Sequence, residues 1–513
     1  MSIDTLIVGG GSAGCVLAAR LSEDPERRVV LVEAGRDHPD PTAAPDLVRL
    51  AFPGAAVLSP PAELDWGHQA AGSKTSPMIE IPRGRVMGGS GSINAMIFLR
   101  GLPEDFDRWA AMVGPAWGWE PIRAAYRAIE ADPDGLAEDH GRDGPMPLFR
   151  WPRPAWIATQ EAFARACVEL GYGEDGDANA PGAMGVGVMP FNHADGLRIS
   201  PAQAFLTPQV RARANLRILP QTFARRILFQ AGRASGVLVD GPGGTETLTG
   251  GEVILASGAV GSPQLLLVSG VGPAADLRRL GIEVVADVPG VGEGVRDHPK
   301  SWVAWRLRDE VDDSVQPSVP WLQLSTRYTA TDSDLRGDMM LYPNSVIPGP
   351  EPGSRAFRIE VVNNLQLSVG RLWIVSADPT VRPRIDLRLL SEPRDAARLA
   401  DGIRRSLALA ETAPMRDLLR EAYLPAREDL RTDAALHAYV QRTVMTGQHI
   451  SSSCRLGRDD DPLAVVDPTC RVRGVAGLRV VDGSIMPDSV RANTHATILA
   501  LAHMMAGRIA AGG

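Results

Sequence analysis

The sequence predicts an α/β chain, α+β overall, in which one βαβ-based domain is discontinuous and a second domain is inserted between its pieces. Three observations predict it. The first 35 residues read as strand, tight turn, helix and strand, the βαβ unit of a parallel sheet. Two further apolar runs, Val253-Ile254-Leu255-Ala256 and Leu478-Arg479-Val480-Val481, look like strands of the same sheet but stand far along the chain. The length, 513 residues, exceeds what one core holds, since single cores stop growing near ~250–300 residues. The expected partition gives residues 1–150, 210–300 and 460–513 to the discontinuous domain. Residues 151–209 and 301–459 form the insertion, built on an antiparallel sheet plus helices.

Thr5-Leu6-Ile7-Val8 is the first apolar run, Gly9 to Gly14 the turn, Cys15 to Leu21 the helix and Val29 to Val32 the second strand. Residues 36–80 are rich in Pro, Ala and Asp and have little periodicity, which predicts an extended surface excursion. A glycine and serine cluster follows at 84–94. Residues 104–130 have a helical pattern and 131–155 are loop-like. In the insertion, Trp302 to Leu307, Leu365 to Leu367 and Leu372 to Ser376 are strand-like runs. Ala496 to Ala506 is apolar but short of the ~20 residues of a membrane span, and reads as a buried helix. An apolar strand from Ile3 leaves no room for a signal peptide, and a cytoplasmic location is expected.

Hydrophobic residues at 44% and charged residues at 22% are the balance of a globular protein. A net charge of −8 argues against nucleic acid or an anionic membrane as partner, because both need a clustered positive face. Cys15, Cys167, Cys454 and Cys470 form no CxxC pair, so reduced buried thiols are expected and no metal site is.

Gly9-x-Gly11-x-x-Gly14, with Ser12 and Ala13 inside it, follows a strand and opens a helix. Gly9 permits the tight turn, Gly11 lets backbone approach a pyrophosphate, and Gly14 lets helix and strand pack closely. The helix N-terminus offers N–H groups and a positive dipole to phosphates. Glu33, followed by Ala34, closes the second strand about 20 residues on, where a ribose-binding acid belongs. The acid disfavours a 2′-phosphate. The motif alone leaves FAD and NAD open.

Three longer motifs decide for FAD. The first is Gly84-Arg85-Val86-Met87-Gly88-Gly89-Ser90-Gly91-Ser92-Ile93-Asn94, continuing to Arg100-Gly101. The second runs from Gly258-Ala259-Val260-Gly261-Ser262-Pro263 to Gly270-Val271-Gly272. The third spans His449-Ile450-Ser451-Ser452-Ser453-Cys454, Val481-Asp482-Gly483-Ser484 and Asn493-Thr494-His495-Ala496-Thr497. Together they resemble the glucose–methanol–choline (GMC) oxidoreductases over essentially the whole chain. The resemblance implies FAD-dependent oxidation of an alcohol CH–OH group. It assigns Arg85, Met87, Gly88, Gly89, Ser90, Ser92, Ile93, Asn94, Ala95 and Met96 to the cofactor, through backbone that must lie flat against it. Ser257, Gly258, Asp482, Gly483, Thr494, His495, Ala496 and Thr497 follow in the other motifs, and Ala224 would meet adenine through its backbone. Some members carry, where Ile93 stands, a His covalently bound to the flavin; the FAD here is expected to be non-covalent.

Alcohol oxidation removes a proton from oxygen and a hydride from carbon; the hydride is taken up at flavin N5. An imidazole suits the proton, since its ordinary pKa of ~6.5 lies near working pH. By resemblance His449 is the base, and His495 holds the same substrate oxygen. His298 and His503 read as structural. A helix N-terminus at Ala496 or Thr497 is expected to face the flavin N1–C2=O edge. Trp302, Trp305, Trp321 and Tyr342 cluster in the insertion, which favours an aromatic or heteroaromatic primary alcohol; no acidic and aromatic cage for a quaternary ammonium is evident. Oxygen is the favoured electron acceptor. The alternatives are a dehydrogenase using a quinone-like acceptor on a choline-like or other alcohol, and a redox-silent FAD-containing lyase.

Overall fold

The computed structural model describes residues 3–51, 59–136, 138–311, 321–351 and 354–512. The elements that position the site are, in chain order, β1 (Ile3–Val8), α1 (Ser12–Leu21), β2 (Val29–Val32), β3 (Leu216–Leu219), β4 (Phe223–Gln230), β5 (Arg233–Gly241), β6 (Gly244–Leu255), α2 (Gly258–Val268), β7 (Pro299–Leu307), β8 (Met339–Pro348), β9 (Arg355–Asn363), β10 (Leu478–Val480) and α3 (Thr494–Ala510).

The first sheet runs β3-β2-β1-β6-β5-β4, with β10 on the far side of β6. β3, β2, β1, β6 and β10 are mutually parallel. β2 is Val-Val-Leu-Val and buried at every position, the β-branched run of a strand covered on both faces. The first half of β6 pairs antiparallel with β5 and its second half parallel with β1 and β10. α1 is buried almost throughout because α3, also largely buried, lies against it. The α/β reading holds here, with β1, α1, β2, β6, β10 and α3 where the sequence places them.

A second, mostly antiparallel sheet orders the strand Leu419–Leu424, then β7, β9, β8 and the strands Leu324–Tyr328, Gly185–Val188 and Glu174–Asp177. One face packs on the long helix Pro393–Ala410, where Val361 fills the space beside Gly402. The other face carries Lys300, Tyr342, Arg358 and Glu360, which line one cavity with residues at the ends of β1 and β6.

Four details differ from expectation. The excursion at 36–80 contains a short helix, Asp46–Arg49, and a hairpin pairing His68–Ala71 with Met78–Ile81; residues 52–58 lie outside the described part. The helical stretch at 104–130 is two helices, Pro103–Val113 and Trp119–Ile129, separated at Gly114 with φ +119°. Leu365 to Leu367 is not a strand: the N–H groups of Leu367 and Ser368 turn to the Asp395 carboxylate in the first turn of the long helix. The neighbouring strand is Gly370–Trp373, ending before Ser376.

The loop at 131–155 is pinned by buried charge. Arg100 pairs with Glu130, Arg150 with Asp132 and, at 2.8 Å, with Asp177, while His140 lies 2.9 Å from Asp132 and 2.8 Å from Asp177. Burial alone would lower the pKa of His140, but its bonds to Asp132, Asp177 and Glu130 outweigh that and push it to about 10. Glu130, Asp132 and His140 lie within metal-ligand reach of one another, yet the two guanidinium groups already neutralise the carboxylates. All four cysteines are buried and unpaired. Among the described residues no helix is long and apolar enough to cross a membrane.

Candidate active site

Where the C-terminal ends of β1 and β6 meet, side chains are excluded. Gly9 has φ +108°, and a Cβ there would stand 2.6 Å from the Ala256 carbonyl oxygen. Gly11 caps α1. Above it Gly89, at φ +56°, would bring a Cβ to 2.8 Å from the Gly11 Cα. Two glycine loops from distant parts of the chain are therefore in backbone contact, and they floor a cavity of about 700 Å³.

Glu33 lies at the mouth of β2 and is buried. It accepts from the Gly10 N–H at 2.8 Å and the Gly35 N–H at 2.7 Å. Burial raises its carboxyl pKa to about 7, against the pull of those two donors. Glu33 thus shapes the turn as well as facing the cavity. Ser12, Ala13, Ala34, Arg85, Ser90, Ile93, Asn94, Ala95, Ala224, Ser257, Gly258 and Gly483 share that cavity with Gly9, Gly11 and Gly89.

Seven of the sequence-assigned positions stand behind its wall. Gly14 seats α1 on β1: a Cβ there would be 1.8 Å from the Gly9 carbonyl oxygen. The Met87 sulfur fills the space beside Gly10, and the Gly88 N–H donates to the Gly10 carbonyl at 2.7 Å. Ser92 donates to the Met87 carbonyl at 2.8 Å, and Met96 is fully buried at φ +61°. Ala496 and Thr497 lie inside α3, with the Thr497 hydroxyl 2.7 Å from that of Tyr126. Asp482 turns its carboxylate to protein groups: it accepts from the Gly258 N–H at 2.8 Å, the Ser262 hydroxyl at 2.6 Å and the Ser484 N–H at 2.8 Å. It ties the start of α2 to the end of β10. Asn94 is held by the fully buried Arg198, which donates to its side-chain oxygen at 2.9 Å and its carbonyl at 2.7 Å. Burial lowers the Arg198 pKa to about 9, which leaves it charged at neutral pH.

His449 and His495 meet at the same cavity. α3 begins at Thr494, earlier than expected, with Asn493 at its N-cap. An N-cap Asn ordinarily accepts from its own helix. Here it does not: Oδ1 accepts from the Tyr342 hydroxyl at 3.1 Å, and Nδ2 donates to His449 Nε2 at 3.0 Å. His449 Nε2 must then carry a lone pair, so the ring proton sits on Nδ1. That atom is 2.9 Å from Nδ1 of His298, which accepts. Burial lowers the His298 pKa to about 3, against a hydrogen bond from its ring to the Val490 backbone, so His298 is neutral and free to accept. The buried Asp297 accepts the His449 backbone N–H at 2.9 Å. Burial first, then the positive charges of Arg83 and Lys300 and the neighbouring His298, hold the His449 pKa well below the usual imidazole value. His495 has its Nδ1 3.3 Å from the Ser12 hydroxyl, and its buried Nε2 has no hydrogen-bond partner among the described residues. Burial, then Arg198, lowers its pKa to about 4. Both imidazoles are neutral, and one offers a fixed lone pair.

Sequence reasoning missed Asn493 and the contact role of His298. The signal for Asn493 was its place one residue before a helix. Nothing local marks the pairing of His298 with a residue some 150 positions away.

The GMC oxidoreductase family model matches residues 3–300 with its N-terminal part and 366–502 with its C-terminal part. The chain belongs to the GMC oxidoreductases. As a GMC oxidoreductase it is an FAD enzyme acting on alcohols. It is similar to 5-(hydroxymethyl)furfural oxidase of Methylovorus sp. (strain MP688), with 36% identity over 99% of this chain and 98% of the relative. It is also similar to the oxygen-dependent choline dehydrogenase of Sinorhizobium medicae (strain WSM419), with 32% identity over 97% and 93%. The crystal structure of pyridoxine 4-oxidase from Mesorbium loti superposes with a TM-score of 0.90 at 30% identity, covering 99% of each chain.

Proposed function

We propose that this GMC oxidoreductase oxidises a small primary alcohol, aromatic or heteroaromatic by preference, to the aldehyde. His449 is the base, His495 the second catalytic residue, and oxygen the preferred electron acceptor. The observation that carries this is the fixed lone pair on His449 Nε2 at the same cavity as the unpartnered Nε2 of His495.

The cavity suits FAD: its glycine floor would admit backbone contact along a dinucleotide, and the buried Glu33 carboxyl at the end of β2 would hold a ribose hydroxyl. Bound FAD supplies the hydride acceptor, and Ile93 offers it no nucleophile for a covalent bond. The rest is the work of side chains. His449 Nε2 takes the hydroxyl proton of the substrate as Asn493 yields its place. With the Ser12 hydroxyl donating to His495 Nδ1, Nε2 of His495 carries a proton and donates to the same substrate oxygen. Two fixed contacts on one oxygen orient the carbinol carbon. The uncapped start of α3, with Thr494 and His495 at the cavity, directs its positive dipole end there.

Trp321 and Tyr342 give the cavity flat walls for a ring. Trp305 is buried in the core and Trp302 lies under Arg358. Two of the three relatives are named oxidases and the third is named oxygen-dependent, which supports oxygen over a quinone-like acceptor. The choline-oxidising relative keeps a choline-like alcohol as the second reading. The two sheets support a division into a cofactor domain (1–150, 210–300, 460–513) and a substrate domain (151–209, 301–459). The buried unpaired thiols support a reducing, cytoplasmic setting.

The test is anaerobic mixing of the FAD-loaded enzyme with benzylic, furanic, pyridoxine-like, choline-like and sugar alcohols. Bleaching of the oxidised-flavin band by a ring-bearing primary alcohol is expected, with fast recovery in air. Persistent yellow with every alcohol overturns the reading.

A further inference from the structure

The wall of the cavity contributed by the second sheet carries charge. Register places three rows of side chains on one face of β7, β9 and β8: Lys300 opposite Val362, then Trp302, Glu360 and Tyr342, then Ala304, Arg358 and Asn344. The intervening Val303, Ile359, Val361 and Leu341 point the other way and are fully buried in the core, as strand alternation requires. Lys300, Glu360 and Arg358 all line the cavity that holds His449. Their side chains are only 17%, 14% and 18% exposed.

Glu360 gives one oxygen to each cation: Lys300 Nζ at 3.1 Å and Arg358 Nη2 at 2.6 Å. Arg358 is further fixed over the Trp302 ring, at 5.5 Å from its centroid, and its buried Nε has no hydrogen-bond partner among the described residues. Two cations against one carboxylate leave this wall one positive charge in excess, in a setting mostly shielded from water. A quaternary ammonium would meet two cations and an acid already engaged twice. A carboxylate would meet donors held in place by that acid. The Lys300 row is the near one, since Lys300 pairs with Met445 just before His449 and acts on its proton affinity. The Glu360 row, where the cations converge, lies two residues along the strand, ~7 Å. A single ring spans that distance.

We propose that Lys300 and Arg358, held by Glu360, form an anion-recognising subsite, so that preferred substrates are primary alcohols with a carboxylate across a ring-sized spacer from the reacting CH₂–OH. This rests on the alcohol-oxidation reading above.

The experiment compares 4-(hydroxymethyl)benzoate with its methyl ester as reductants of the FAD-loaded enzyme. The carboxylate is expected to have at least a tenfold higher kcat/KM, carried by KM and shrinking as salt is added. In R358M and K300M the acid-to-ester ratio falls toward one. The wild-type enzyme also tests the subsite without a variant: benzoate should inhibit at least tenfold more strongly than benzamide. Equal or better turnover of the ester, or benzamide inhibiting as well as benzoate, overturns the subsite while leaving alcohol oxidation intact. If no alcohol of either charge reduces the flavin, the alcohol reading fails and the subsite falls with it.

Discussion

His449 and His298 share one proton between Nδ1 atoms 2.9 Å apart. With the Asn493 amide donating to the other side of the His449 ring, this contact fixes which nitrogen is the base. His298 is a positioning residue. Replacing it by Ala leaves the His449 Nδ1–H without an acceptor, and flavin reduction should slow about ten- to a hundredfold, within the range general-base catalysis spans. His298→Gln, whose side-chain carbonyl can accept, should recover part of the loss. FAD content should stay at the wild-type level, and stopped-flow absorbance reads both.

The pH profile follows from the same geometry. A base works when deprotonated, and burial, His298, Arg83 and Lys300 all depress the proton affinity of His449. Flavin reduction should therefore be flat through neutral pH and fall only at an acid limb well below 6.5. A wild-type limb at or above 6.5 would contradict the buried, neutral His449.

His449→Ala should cost about 10²- to 10⁴-fold in the rate of flavin reduction, the span of general-base effects. The protein should remain yellow, since the floor is made by Gly9, Gly11 and Gly89 against Ala256 and each other. A colourless variant would assign His449 to cofactor retention instead.

Gly89→Val tests the floor. Its Cβ would lie 2.8 Å from the Gly11 Cα, at a φ of +56° that β-branched residues avoid. The purified variant should lack bound FAD, read from the ratio of visible to ultraviolet absorbance. Gly243→Ala, where a Cβ meets nothing within 4 Å, should keep a full complement.

Asp482→Ala removes the acceptor shared by Gly258, Ser262 and Ser484. Leaving such buried donors unmet should cost about 3 kcal/mol, seen as a lower melting temperature. Asp482→Asn, which keeps one acceptor oxygen, should lose less.

What the sequence made legible was local. Gly9, Gly11, Gly14 and Glu33 sit in one βαβ unit, so spacing alone places them. The stretch from Gly84 to Met96 is contiguous, but which of its residues face the cavity is set by a fold-back against Gly11, so nothing local separates Met87, Gly88, Ser92 and Met96, which stand behind the wall, from their cavity-lining neighbours. Asn493 escaped notice because its role depends on Tyr342 and His449 coming from other elements. Lys300 and Glu360 each look like an exposed strand residue in isolation; only the pairing of β7 with β9 makes them partners. The hairpin at 68–81 was hidden by strands too short to establish a period.

β10 completes the parallel sheet, and the segment after it carries Asn493, at the cap of α3, and His495, in its first turn, beside the turn that follows β1. On a ribosome Ser12 and His495, 483 positions apart, emerge at widely separated times. The early βαβ unit waits with α1 lacking its packing partner, and no ordering of domains along the nascent chain relieves the wait. A chain cut between His449 and α3 therefore keeps the nucleotide fingerprint and one imidazole of the pocket, and loses the other together with the partner of α1.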